Sequence, residues 1–212
     1  MTHPAKGAIA AATAGTAATG AYVGSTYLSG TSIANQLVKD KYTPISSISN
    51  AEHARQQWTA EFESDVQNIK ALIGFNGDDK AQGGETLEKW CSSKLKENYS
   101  ETHPSLAGIK KYCVIRNIES QLARKQASIL ADSDTAKWTA TYNKRKSTTK
   151  RSPLSQITGL TGSGSSQPND DLTKIKNWCN SKAKDSFYAY EDTYDRVYNW
   201  CTEKGDSVEE LN

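Results

Sequence analysis

The sequence predicts an all-α protein built as two tandem copies of a helical unit, each with a disulfide-stapled helical hairpin, preceded by an N-terminal signal-anchor helix. Three observations carry this. Blocks of residues recur in order along the chain, four cysteines fall into two pairs of equal separation, and a long uncharged stretch opens the sequence.

The opening stretch runs from Gly7 to Leu28 without a charged residue, and Lys6 stands just before it. About 20 such residues suffice to cross a bilayer. The run is mostly Ala, Gly and Thr, with Ile9, Val23 and Leu28 as its larger aliphatic side chains. It reads as an uncleaved anchor or as a cleaved secretory signal, with small residues Ala17, Ala18 and Gly20 suited to the cut. Four glycines and the lack of a polar face argue against a helix of a soluble domain. With Lys6 inside, the remainder of the chain lies outside the membrane. Residues 1–30 are therefore set apart from a first helical unit, 31–115, and a second, 116–212.

The recurrence defines those units. Trp90-Cys91-Ser92-Ser93-Lys94-Leu95-Lys96-Glu97 returns as Trp178-Cys179-Asn180-Ser181-Lys182-Ala183-Lys184-Asp185, an offset of 88. The same offset relates Leu87 to Ile175, Ile109 to Val197 and Tyr112-Cys113 to Trp200-Cys201. Trp58-Thr59-Ala60 with Phe62 returns at an offset of 80 as Trp138-Thr139-Ala140 with Tyr142, and Ile33 with Gln36-Leu37 at 85 as Ile118 with Gln121-Leu122. Offsets that change only between blocks are what loops of different length produce.

Within the blocks the apolar spacing is helical. Ala54, Trp58, Phe62, Val66, Ile69 and Ile73 follow steps of three and four on one face, and Ser49 to Glu52 has the form of a capping box. Leu87, Cys91 and Leu95 make a second face, and Leu106, Ile109 and Cys113 a third. Gly74 to Gly84 and Thr158 to Asn169 read as connections, with Asn169, Asp170 and Asp171 offering a cap to the helix that follows. A flexible basic and Gly/Ser-rich loop is expected at about 143–170. The five Trp are expected in the core, and the carboxylates of Glu61, Glu63 and Asp65 on a solvated helix face.

Cys91 and Cys113, like Cys179 and Cys201, are 22 positions apart. On one unbroken helix that is about 33 Å, too far for a disulfide, whereas a hairpin turning near its midpoint brings the sulfurs together. The midpoints fall at Thr102, beside His103-Pro104, and at Tyr190 to Thr193, where Asp192 can cap a new helix. Four cysteines allow three connectivities, and the recurrence favours 91–113 with 179–201. Such bridges and an export segment imply the same oxidising compartment.

No constellation specifies a reaction. His3, His53 and His103 are scattered, no nucleophile, phosphate-loop or zinc motif is present, and Asp78-Asp79 lacks calcium-loop spacing, so no enzyme, metal or cofactor is expected. A formal net charge of +2 makes no electrostatic case for a nucleic-acid partner. Lys144, Arg145, Lys146, Lys150 and Arg151 form a basic run, the candidates for contact with phosphates or an anionic cell-surface polymer.

The Ala/Gly-rich start, Cys91-Ser92-Ser93-Lys94-Leu95, Tyr112-Cys113-Val114 and Trp200-Cys201-Thr202 resemble the uncharacterised paralogous surface-protein families of haemotropic mycoplasmas. The resemblance covers the layout of the whole chain and brings no catalytic residues with it. It implies export, many variant paralogues and a part in red-cell attachment or immune evasion. The expectation is a non-enzymatic surface protein, antigen- or adhesin-like, held by its N-terminal segment in the cell membrane with the ectodomain outside, or secreted if the signal is cleaved, and contacting the host cell surface. The alternative is an intracellular helical interaction module whose basic loop touches nucleic acid.

Overall fold

The computed structural model describes residues 30–147, 156–161 and 168–206. The expected anchor at 1–30 lies almost wholly outside these residues. Among the described residues, no helix is long and apolar enough to cross a membrane.

The described chain is mainly helical, as expected, and its only β pairing is four isolated bridges. α1 (Ile33–Lys39) and a 3-10 turn (Ile45–Ser47) lead into α2 (Ala51–Ser64), α3 (Val66–Ile73), α4 (Lys80–Lys94) and α5 (Leu106–Tyr112). Then follow α6 (Ile118–Arg124), α7 (Thr135–Ser147), α8 (Pro168–Lys182), α9 (Thr193–Cys201) and α10 (Glu203–Asp206).

The described residues form two apolar cores. The first gathers Ile33, Trp58, Phe62, Leu87 and Ile109 around Cys91 and Cys113. The second gathers Ile118, Trp138, Tyr142, Ile175 and Trp200 around Cys179 and Cys201. Both expected disulfides are formed, with Cα–Cα separations of 5.6 and 5.7 Å, each tying the helix before a loop to the helix after it. Trp58, Trp138 and Trp200 are fully buried, whereas Trp90 and Trp178 are half-buried at the edges of the cores.

Short extended segments tie each core together in matching ways. Ile33 N–H donates to the Glu97 carbonyl, and Ile118 N–H to that of Asp185, both at 2.9 Å. Tyr99 donates to Thr31 and Phe187 to Arg116, both at 2.8 Å. The carbonyl of the second cysteine accepts from Ile45 in one half at 3.0 Å and from Leu130 in the other at 2.8 Å.

Five sequence expectations need correction. The face from Ala54 to Ile73 belongs to two helices, because the backbone breaks at Asp65 (φ −156°, ψ 54°). The cap of α2 is Asn50, whose side chain accepts from His53 N–H at 3.0 Å, one residue after the Ser expected to do so. Asp192 stands at the cap of α9 without capping it, since its carboxylate pairs with Arg196. Gly83 and Gly84 lie inside α4, which starts at Lys80 under the side-chain cap of Asp79. A Cβ on Gly83 would meet the Phe62 ring at 2.4 Å, and one on Gly84 the Thr59 backbone at 2.8 Å, so the glycines let α4 lie directly on α2. At the sequence offsets of 80 and 88, Tyr142 and Asp171 align with Phe62 and Gly83. The phenol there donates to the buried carboxylate at 2.7 Å, so Asp171 is a core partner inside α8 and not a cap.

Asp65 is also more than a solvated carboxylate. It accepts from Tyr112 Oη at 2.7 Å, Lys111 Nζ at 2.9 Å and Asn68 Nδ2 at 2.6 Å, fastening the α2–α3 break to α5. Burial pushes its pKa up, and those three bonds more than reverse this, leaving it at about 2. A carboxyl depressed in the fold adds stability above its ordinary value of 3.8, and that stability is lost as pH falls through about 2. Asp65→Asn should therefore lower stability at neutral pH and flatten the loss between about pH 4 and pH 2, as read from denaturant midpoints at each pH.

Candidate functional site

α2 carries two stripes. Trp58 and Phe62 face the first core, while His53, Gln57, Glu61 and Ser64, at steps of four, four and three, face the second half of the chain. This second stripe is polar, with Gln57, Glu61 and Ser64 buried and His53 half-buried. Gln57, only 1% exposed, donates to the Phe187 carbonyl at 3.3 Å and accepts from Ala189 N–H at 2.8 Å, so one amide side chain holds the loop between α8 and α9.

One turn on, Glu61 is 1% exposed and takes two guanidinium groups, Arg116 on one oxygen and Arg124 on the other, the latter at 2.7 Å. Ser64 Oγ accepts from Arg124 at 2.7 Å and itself donates to the Glu61 carbonyl at 2.6 Å. The second nitrogen of Arg124 donates to the Lys111 carbonyl at 2.6 Å, which closes the end of α5. Burial, and then the like charge of Arg124, brings Arg116 down to about 9, still a cation at neutral pH. Glu61 is thus the shared counter-ion of a junction, and the solvated face expected for it is corrected.

Beside this junction is a cleft of about 250 Å³, lined by Ser47 to Asn50, His53, Ile115, Tyr188 and Tyr190. Its walls come from both halves. The His53 and Tyr190 rings stack with centroids 4.0 Å apart and planes 9° apart, and Tyr188 follows at 5.3 Å and 35°. Burial, then the neighbouring Tyr188 and Glu191, pushes the Tyr190 pKa up, so its hydroxyl stays a donor at neutral pH. A second cleft, of about 240 Å³, lies along α2 between Glu52 and Ala189 and includes the exposed Glu52–Arg55 ion pair.

The basic run is not one patch. Lys144, Arg145 and Lys146 belong to α7, and the expected loop at about 143–170 begins as helix. Arg145 is fully buried, with Nε donating to the Asn199 carbonyl at 3.3 Å and an Nη donating to the Gly205 carbonyl. It continues the stripe Trp138–Tyr142 inward and is unavailable to an external polymer. Lys144 is half-buried, and Lys150 and Arg151 lie outside the described residues.

Sequence reasoning missed His53, Gln57, Tyr188 and Tyr190 as a group. The four-residue spacing of His53, Gln57 and Glu61 could have marked a second buried stripe. Nothing in the sequence pointed to its partners, which lie up to 137 positions away. Glu61→Ala would remove the buried counter-ion of two largely covered cations and should cost about 3–5 kcal/mol of unfolding free energy. Glu63→Ala, which removes a half-exposed pair with Lys80, should cost under about 1 kcal/mol in the same denaturant titration.

No family model, no curated protein and no solved structure matches this chain, so its functional reading rests on these residues and their geometry.

Proposed function

We propose that this chain is a non-enzymatic surface protein, anchored in the membrane or exported through its N-terminal segment, whose two tandem, disulfide-stapled units present a binding cleft to the outside. The observation that carries the reading is the pairing of all four cysteines inside the two cores. Such bridges persist in oxidising compartments and are rare in the cytosol. In small cores each is worth about 3 kcal/mol, a large share of a domain's margin.

The tandem reading is supported by bonds that recur at the sequence offsets. The bridges Ser32–Asn98 and Pro44–Val114 have counterparts in Asn117–Ser186 and Ile129–Thr202, offset by 85 in the first partner and 88 in the second. The carbonyls of Lys111 and Asn199, also 88 apart, each accept from an arginine, the half-buried Arg124 and the buried Arg145. A host-contacting role, antigen- or adhesin-like, is proposed for the cleft at the junction in place of the basic run, because Arg145 faces inward.

Non-reducing peptide mapping of protein from its native cells, paired with a membrane-impermeant amine label on intact cells, tests this. The expected result is bridges 91–113 and 179–201 together with labelling before lysis. Four free thiols and labelling only after lysis would move the protein to the cytosol and overturn the reading.

A further inference from the structure

We propose that the cleft between the halves binds the neutral ring of a saccharide, one pyranose unit in size, against the stacked His53 and Tyr190 rings and the adjoining Tyr188. The inference rests on the surface-protein reading for its biological setting alone; the chemistry of the cleft is a property of the purified chain.

The lining selects the ligand class. Ser47, Ser49, Asn50, His53, Tyr188 and Tyr190 all carry hydrogen-bonding groups, and no Lys, Arg, Asp or Glu is among the lining residues. An anionic ligand would lack a cation to meet it, and a cationic one a carboxylate. A pyranose presents a rim of hydroxyls and a face of C–H groups. The hydroxyl and amide side chains suit the rim, and the electron-rich face of an aromatic ring suits the C–H groups.

The ring geometry separates this from the other ligand class that aromatic rings attract. A quaternary ammonium ion is held by aromatic faces converging from several sides. Here His53 and Tyr190 lie nearly parallel, 9° apart, and Tyr188 is tilted by 35° to Tyr190, so no ring stands across from another to wall a cage. A pyranose chair needs only one exposed ring face to receive its C–H groups.

Size narrows the ligand further. The cleft, at about 250 Å³, is smaller than the roughly 300–1,000 Å³ of pockets for drug-sized ligands. One ring fits, and further sugars of a chain would extend into solvent. The walls are also preorganised. Gln57 fixes the backbone at Phe187 and Ala189, immediately before and between the two tyrosines, and Asn50 fixes the first turn that carries His53.

The test is saturation-transfer difference NMR on the oxidised full chain in a sugar-free polyoxyethylene detergent. The probes are the methyl pyranosides of glucose, galactose, mannose and N-acetylglucosamine, with tetramethylammonium as the cationic comparator. At least one sugar should receive saturation, strongest at its ring C–H protons, and bind at least tenfold more weakly to Tyr188→Ala and to Ser49→Trp, which fills the cleft from its exposed rim. Unchanged thermal unfolding of Ser49→Trp keeps loss of fold out of the comparison. No transfer to any of the four sugars, equal transfer in both variants, or transfer to tetramethylammonium alone would overturn the proposal. None of these results depends on where the protein resides in the cell, so the cysteine map and this experiment fail separately.

Discussion

Glu61 sits at the centre of the contact between the halves. Each half buries its own apolar core, and what joins them is mainly a polar stripe on α2: the Gln57 amide on the Phe187–Ala189 backbone, and the Glu61 carboxylate between Arg116 and Arg124. Taking three charges out of water costs several kcal/mol per ion before pairing, so such a cluster is a poor source of stability by itself. Its effect is on geometry. Carboxylate, guanidinium and amide groups bond only in narrow directions, so the junction permits one orientation of the halves where an apolar seam would tolerate slip. The cleft exists only in that orientation, because Asn50 and His53 come from one half and Tyr188 and Tyr190 from the other.

On the tandem reading, the two units differ where one has a neighbour and the other does not. In the first, the end of α5 is closed by Arg124, a residue of the following unit. In the second no unit follows among the described residues, and α9 is closed by its own unit's Arg145, which stands where the first unit has Asp65. α10 occupies the corresponding side of α7, with Glu203 paired to Lys137 at 2.8 Å.

Much of the fold was legible because it follows from spacing. The apolar steps of three and four placed most helices, and the 22-residue separation of each cysteine pair required a hairpin. Gly83-Gly84 misled because a glycine pair signals a turn by backbone preference, while here it serves close helix contact against Phe62 and Thr59. Glu61 and Arg145 misled for a common reason: charged side chains are read as solvated, and only distant partners reveal otherwise. The cleft was illegible since its residues are far apart in sequence and no motif links them. Periodicity reports which way a residue faces within its helix, but not which other segment lies opposite.

The claim on which the cleft and the junction both depend is that the polar stripe of α2 locks the halves into one rigid body. Residual dipolar couplings of backbone amides in the weakly aligned full chain measure this directly. Couplings from residues 30–115 and from residues 116–206 should fit a single alignment tensor with the halves oriented as described. Two tensors differing in magnitude or orientation would mean that the halves move independently, and the account of a fixed cleft between them would be wrong.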